Sequence, residues 1–169
     1  MSRILGLDLG SATTGWAIFS GRRLVACGKF HPGTARQGHG EKLHAFREWL
    51  VALLRKERIK GIVVERPYPG PRRNVFGVLM QFLAVVLEVH FERFGELADD
   101  HMIGPGDVKK KLKLPKQKNY EARKKQMVEW ANAKHGLALR YKRNDKRGQA
   151  DADTADAIAV MEAWLLGDL

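Results

Sequence analysis

Three apolar segments of this chain carry carboxylates that a protein interior tolerates only when they are compensated. Asp8 lies inside the apolar run ILGLDL (residues 4–9), Glu65 ends the run GIVVE (residues 61–65), and Asp153 and Asp156 open an apolar segment near the C-terminus. An ionised carboxylate in an apolar interior is strongly unfavourable unless a positive charge compensates it. We therefore expect the fold to bring these acids to a shared cation, for which a divalent metal is the simplest candidate.

The positive charge of the chain is confined to one region. Half of the 30 Lys and Arg residues, but only four of the 19 acids, lie in residues 104–149, so this basic segment carries the whole formal net charge of +11. A solvated loop and helix would explain a Lys-rich run taken by itself. Together with acids that gather on a metal, the confined charge favours a face that binds a polyanion and a site that acts on phosphodiesters.

Length and cysteine content restrict the class of protein. The 169 residues contain no linker-like stretch, which predicts one globular domain over residues 1–169. Cys27 is the single cysteine, so an intrachain disulfide and a cysteine zinc site are excluded, and a reducing compartment fits. The N-terminus enters a strand without the regions of a secretory signal, and the longest apolar run, residues 75–87, is too short to span a bilayer. We expect a cytoplasmic protein that does not enter a membrane.

The pattern of apolar residues predicts an α/β fold with a mixed sheet. Strands over residues 3–9, 14–20 and 23–29, joined by short turns, would form an antiparallel meander. A short, wholly apolar strand at residues 61–65 is typical of a central strand that is covered on both faces, and a fifth strand is predicted at residues 101–103. Helices are predicted over residues 41–58, 74–94, 105–112, 119–135 and 151–166.

The predicted helix at residues 74–94 is apolar on nearly every face. Such a helix has to be covered on every face, whereas a domain of this size readily covers one. Two explanations are open. The surplus apolar surface is a subunit interface, or the helix is buried completely in the centre of the domain.

The spacing of the four acids allows them to converge. Glu65 ends a strand that can lie next to the first strand, and Asp153 and Asp156 are three residues apart on one helix face. Carboxylate oxygens suit Mg²⁺ or Mn²⁺ better than zinc, and two such ions can activate a water and stabilise a leaving 3′ oxygen. Asp151 lies off this face and is predicted to cap the start of the helix.

Asp8 taken alone has a second interpretation. The pattern Asp8-Leu9-Gly10 would also suit the phosphate loop of a sugar kinase or an actin-type ATPase. Glu65 separates the two interpretations, because an acid at the end of the neighbouring strand fits a metal-dependent nuclease. A chain of 169 residues would also hold only one of the two lobes that such ATPases usually have.

The motifs resemble, in the same order, those of the RuvC family of Holliday junction resolvases. They are ILGLDLGS (residues 4–11) followed by TGWA (14–17), then VVERPY (63–68) and ADTADAIA (152–159), and they span nearly the whole chain. The resemblance implies an RNase H-like fold, a homodimer and Mg²⁺-dependent paired nicks in a four-way DNA junction, with Mn²⁺ able to substitute. Asp8, Glu65, Asp153 and Asp156 would then be the catalytic, metal-binding acids.

The resemblance also implies contacts with the DNA around the crossover. Tyr68 occupies the position of an aromatic residue that stacks on junction bases in this family, although it could equally pack within its loop. Arg72 and Arg73 follow closely and are predicted to bind DNA.

Lysines near the acids are a further expectation from the resemblance. Lys109 and Lys124 are the nearest matches to the active-site lysines of the family, and Lys118 is an alternative. Lys124 falls on the helix face of Tyr120 and Met127, which predicts that it points inward. The Gly-x-Gly segment of the family is replaced here by LPKQK at residues 114–118.

Two other functions remain open from the sequence. One is a different RNase H-like nuclease, such as the related YqgF type, acting on RNA or branched DNA. The other is a non-catalytic protein that binds junctions and retains an inherited acidic site. The sequence does not identify a branch-migration helicase as a partner.

Overall fold

A five-stranded mixed sheet forms the centre of the structure, a computed structural model that describes residues 1–70, 73–142 and 151–167. The strands are β1 (Arg3–Asp8), β2 (Thr14–Ser20), β3 (Arg23–Phe30), β4 (Ile59–Glu65) and β5 (Met102–Ile103), in the order β3-β2-β1-β4-β5. β1 to β3 form an antiparallel meander, whereas β4 is parallel to β1 and β5 is parallel to β4. The predicted mixed sheet is thus confirmed.

In the described part of the chain, five α-helices cover the two faces of this sheet. They are α1 (His39–Lys56), α2 (Arg73–Phe94), α3 (Pro105–Lys111), α4 (Tyr120–His135) and α5 (Ala152–Leu165). Buried side chains of α1 and α2 form one core with one face of the sheet, and those of α3, α4 and α5 form a second core with the other. The arrangement is a three-layer α/β fold with the sheet in the middle.

Alternation along β1 and β4 decides which face receives the acids. Leu5 and Leu7 belong to the core under α1 and α2. Since successive side chains of a strand point to opposite faces, Asp8 lies on the face that α5 covers. Val63 belongs to the core on that face, so Glu65, two residues further along β4, lies on it as well. The register Leu7 to Val64 then makes Asp8 and Glu65 neighbours across the parallel pair.

Two glycines let α5 lie directly against the sheet. A Cβ atom at Gly6 of β1 would collide with the Met161 side chain, and one at Gly15 of β2 would collide with the Asp153 carbonyl oxygen. The room beside Asp8 that glycine leaves is therefore filled by α5. The start of α5, with Asp153 in its first turn and Asp156 in its second, is fixed over β1 and β2 by these contacts.

Helix α2 is not fully buried, so the explanation that it lies completely within the centre of the domain is wrong. Met80, Leu87 and Phe91 are exposed by 42%, 37% and 61%. These three residues recur at helical spacing and form one stripe, which we call the α2 apolar stripe. Arg47 of α1 forms ion pairs with Glu88 and Glu92 beside it, at 3.7 and 2.8 Å.

The expectation that no segment is long enough to span a bilayer also needs correction. Helix α2 continues past the apolar run of residues 75–87, and its 22 residues are long and apolar enough to cross a membrane by length and composition, with a mean hydropathy of 1.7. Only 28% of the apolar 18-residue window within α2 is buried. Length and composition alone are weak evidence, because exposed apolar helices also occur at subunit interfaces.

Two of the predicted features fall outside the described residues. Arg72 is one of them, and residues 143–149 of the basic segment are the other. Arg140 and Tyr141 are described, and a backbone hydrogen bond of 2.9 Å from Asp151 N–H to the Arg140 carbonyl joins the two ends of this connection.

Candidate active site

Three of the predicted acids meet at one end of the sheet. Oxygen atoms of Asp8, Asp153 and Asp156 all lie within 4.8 Å of one another, and each of these residues is partly buried. Asp8 comes from the last residue of β1, whereas Asp153 and Asp156 come from the first and second turns of α5. Glu65 completes the acidic cluster, because its side chain shares a hydrogen bond with Asp8.

The close approach of these acids changes their protonation. Burial, followed by the charges of Glu65 and Asp156, raises the pKa of Asp8 well above its usual value. Burial also raises the pKa of Glu65 and of Asp153. A hydrogen bond between two carboxyl groups requires a proton on one of them, so the raised pKa values of Asp8 and Glu65 favour a protonated form of the pair when no cation is bound.

Lys124 of α4 is the internal counter-charge of the acidic cluster. Its ammonium group forms an ion pair with Asp156 and lies 3.5 Å from an Asp153 oxygen. Burial alone would lower the pKa of Lys124, but the carboxylates of Asp156, Asp8 and Asp153 outweigh it and raise that pKa. This placement agrees with the prediction that the Lys124 side chain points into the protein.

The donor set of the cluster fits a hard divalent cation. Asp8 of β1 and Asp153 and Asp156 of α5 have oxygen atoms that are close enough to share one ligand. Oxygen donors without nitrogen or sulfur suit Mg²⁺ or Mn²⁺ and not zinc. One lysine offsets only part of the negative charge of four carboxylates, so the cluster retains the electrostatic reason to bind a cation.

A cleft of about 600 Å³ opens beside the acids. The cleft is lined by Asp8, Glu65 and Asp156, and Lys109 lines it as well. The positive charge of Lys109 lowers the pKa of Glu65, whereas burial raises it. Lys118 is exposed and does not line the cleft, so the structure does not bring it to the acids.

Tyr68 and Arg73, two further predicted DNA-binding residues, are exposed. Tyr68 is 69% exposed, which contradicts the alternative that its ring packs within the loop. Arg73 is exposed at the first position of α2.

Asp151 does not act as the predicted side-chain cap. It occupies the N-cap position of α5, but its carboxylate accepts a hydrogen bond of 2.8 Å from Arg140 N–H and lies 3.5 Å from the Lys29 ammonium. The Asp151 side chain thus links Arg140, which follows α4, to Lys29 of β3. These partners are 11 and 122 residues away in sequence, and local spacing does not reveal them.

Several residues of the cleft were not singled out by the sequence. Tyr120, Arg123 and Lys116 line it together with Gln126. The one local signal was the position of Tyr120 a single helical turn before Lys124, which places both on the same face of α4.

The fold can now be compared with solved structures. RuvC of Thermus thermophilus in complex with a Holliday junction substrate is similar with a TM-score of 0.70 and 18% identity, over 98% of this chain and 92% of that one. A second Thermus thermophilus RuvC structure gives 0.68 and 17%, over 96% and 92%. The yeast mitochondrial Holliday junction resolvase Ydc2 gives 0.62 and 14%, over 98% and 79%.

Sequence comparisons add no relative to this picture. No protein-family model matches the chain, and no curated protein sequence matches it. At these identities the structural similarity concerns the fold. The chain therefore has the RuvC-like, RNase H-type fold that the order of its motifs predicted.

Proposed function

We propose that this protein is a Mg²⁺-dependent endonuclease that resolves four-way DNA junctions by paired nicks. The observation that carries the proposal is the convergence of Asp8, Asp153 and Asp156, with Glu65 bonded to Asp8, at one end of a RuvC-like sheet. Two of the similar structures are a RuvC in complex with a Holliday junction substrate and a mitochondrial Holliday junction resolvase. The basic segment of residues 104–149 supplies the charge that a branched polyanion requires.

Asp8, Glu65, Asp153 and Asp156 would hold the metal, with Mn²⁺ able to replace Mg²⁺. When bound, such ions supply Lewis acidity that activates water and stabilises the leaving oxygen of a phosphodiester. Cation binding would favour the ionised forms of Asp8 and Glu65, whose pKa values burial raises. Lys124 pairs with Asp156 and Asp153 in the absence of a metal, and a bound cation would share these carboxylates with it.

The cations around the cleft would position the DNA. Lys109 lines the cleft and would contact the DNA phosphate next to the acids. Lys124 also lines it, and its ammonium group would contact both Asp156 and the DNA backbone. The exposed ring of Tyr68 would stack on a base at the crossover. Arg72, Arg73, Lys118 and the rest of the basic segment would bind the arms of the junction.

Paired nicks require two active sites with a fixed separation. The α2 apolar stripe of Met80, Leu87 and Phe91 is exposed on one side of the molecule, and a second copy of the chain would cover it. We therefore propose a homodimer that joins along α2.

A non-catalytic junction-binding protein is the second candidate. The observation that favours it is the ion pairing of Lys124 with two acids, since an internal ammonium can compensate part of the cluster without a metal. The two candidates predict the same binding but opposite results for cleavage.

The test is cleavage of synthetic DNA with mapped products. Mobile and fixed four-way junctions, three-way junctions, flaps and RNA duplexes are incubated with the protein in Mg²⁺ or Mn²⁺. We expect symmetric nicks in the four-way junctions and loss of nicking, with binding retained, in Asp8→Asn. Binding without nicking in either metal would favour the second candidate, and preferential cleavage of RNA would favour a YqgF-type nuclease.

A further inference from the structure

The lining of the cleft beside the acids has two chemically different parts. Asp8, Glu65 and Asp156 are its acidic part, and Val108, Leu114, Pro115 and Met127 belong to its apolar part, which we call the recess. Metal-assisted hydrolysis of a phosphodiester needs the acidic part, but it gives no reason for an apolar recess in the same cleft. The volume of about 600 Å³ falls within the range of small-molecule sites, roughly 300–1,000 Å³.

Tyr120 adds an aromatic ring to the lining of this cleft. It is the first residue of α4, after Asn119, whose side chain caps the helix by accepting a hydrogen bond of 2.8 Å from Ala122 N–H. Its ring is 60% exposed although it lines the cleft. A large aromatic ring that is held on a helix terminus and left open to solvent is a surface suited to stacking.

Two cations connect this ring to the acids. The Lys124 ammonium lies 5.6 Å from the centre of the Tyr120 ring, and the Arg123 guanidinium lies 5.9 Å from it. Because the same Lys124 ammonium is paired with Asp156, one side chain separates the aromatic ring from the acidic cluster. A group stacked on Tyr120 would therefore lie directly beside the atoms that the acids act on.

The first four residues of the LPKQK loop, 114–117, also line the cleft, and the loop is anchored to α4. Gln126 donates a side-chain hydrogen bond of 3.0 Å to the Pro115 carbonyl, and Lys113 turns the chain into this loop with a φ of 53°. The Gln126 amide keeps a second N–H and its carbonyl oxygen for other partners. The recess thus combines a planar aromatic surface, an apolar wall and an amide group that can read the edge of a base.

We propose that this recess binds one unpaired nucleobase of the DNA, next to the phosphate that is cut. The inference rests on the proposed nuclease function and adds a subsite to it. A base is planar, uncharged and partly polar at its edge, which matches Tyr120, the apolar wall and Gln126. Its phosphates match the cations of Lys109, Lys116 and Arg123 around the same cleft. Removing a base from its stack is least unfavourable where pairing is already interrupted, as at a crossover.

The experiment combines an abasic scan with variants of Tyr120. Four-way junctions carry a single abasic site at each position that flanks the mapped cut, and the dissociation constant is measured in Ca²⁺ and the nicking rate in Mg²⁺. For the wild-type protein we expect one flanking position at which base removal weakens binding about tenfold, as loss of one base–aromatic stack does. Tyr120→Ala should bind the intact junction about tenfold more weakly and should not respond to base removal at that position.

Two variants serve as controls. Tyr120→Phe keeps the ring and should keep the response to base removal. Tyr68→Ala removes the other exposed tyrosine, next to β4, and should weaken binding while the response at the flanking position stays intact.

The outcomes separate this inference from the proposed function. If Tyr120→Ala weakens intact and abasic junctions by the same factor, the base does not contact Tyr120 and the inference is overturned. If the wild type nicks junctions but responds to no abasic site near the cut, the inference is wrong and the nuclease function stands. If the wild type neither binds nor nicks branched DNA, both are wrong.

Discussion

Asp8 is the residue on which the charges of the acidic cluster act most strongly. Burial and the neighbouring Glu65 and Asp156 raise its pKa well above the usual value. An acid with a raised pKa in the folded state binds its proton more tightly there than in the unfolded chain. At neutral pH the ionised form of Asp8 therefore opposes folding unless a cation is present.

The first prediction concerns the pH dependence of stability without metal. The contribution of protonated Asp8 is complete below the ordinary aspartate pKa of about 3.9 and is lost as the pH rises through the raised pKa. Asp8→Asn is neutral at every pH, so at about pH 8 it should raise Tm in EDTA by about 2–4 °C, the shift that roughly 1 kcal/mol produces in a domain of this size. Calorimetry from about pH 5 to about pH 8 measures this. A wild-type Tm equal to or above that of the variant at the upper pH would contradict it.

The second prediction concerns the ammonium of Lys124. In Lys124→Met, Asp153 and Asp156 lose their counter-charge, so the metal-free protein should unfold about 2–4 °C lower than the wild type. Added Mg²⁺ should then raise Tm more than in the wild type, because the cation replaces the missing charge.

Lys125→Met is the matched control for this variant. Its side chain is 59% exposed and its ion pair with Glu129, at 3.6 Å, lies on the surface. The free energy of unfolding should change by no more than about 0.5 kcal/mol. Equal effects of the two substitutions would show that Lys124 does not act through the acidic cluster.

At the scale of elements, the sequence predicted the strands and helices to within two residues at nearly all of their ends. Apolar residues on both faces of β4 were sufficient to predict a central strand beside β1 with Asp8 and Glu65 near the same edge of the sheet, whereas the parallel register that makes them neighbours is seen only in the structure. The partners of Asp151 and the anchoring of Pro115 by Gln126 were not predictable. Both depend on contacts between segments whose relative position is set by the whole core, which local periodicity does not encode.

The contact between α5 and β2 allows a third prediction. A Cβ atom at Gly15 would collide with the Asp153 carbonyl, so Gly15→Ala has to displace the first turn of α5. Overpacking of this kind destabilises by about 1–3 kcal/mol, and a shift of about 1 Å in catalytic groups lowers activity about 100-fold. Nicking rates and thermal unfolding of the same sample measure both effects.

Gly40→Ala is the control for the glycine substitution. Gly40 lies on the exposed first turn of α1, and no atom is found within 4 Å of the position that its Cβ would take. At this position alanine should leave the nicking rate unchanged and raise the free energy of unfolding by about 0.4–1 kcal/mol. A Gly15→Ala protein with full activity would show that α5 is not held in place by this contact.

At the scale of the whole molecule, the two faces of the sheet have different surroundings. One face of the sheet carries the acidic cluster together with helices α3 and α4 of the basic segment, whereas α2 on the other face exposes the α2 apolar stripe. A homodimer along α2 would cover that stripe and leave both clefts open to DNA. This arrangement agrees with a substrate that has two equivalent cutting positions.

The last prediction tests this dimer by changing the stripe. Leu87→Asp and Phe91→Asp would each bury a charge in the interface, so the dimer should dissociate at least about 100-fold more readily, as at an interface hot spot. Leu166→Asp is the matched control, because Leu166 is exposed to the same extent, 38% against 37% for Leu87, but lies at the end of α5. Sedimentation at micromolar concentration should give monomers for the stripe variants and dimers for the wild type and the control. Since each chain keeps its own acids, the monomers should still nick junctions at high concentration, but the two nicks should become independent events. A monomeric wild type that makes paired nicks would contradict both the interface and its role in coupling the cuts.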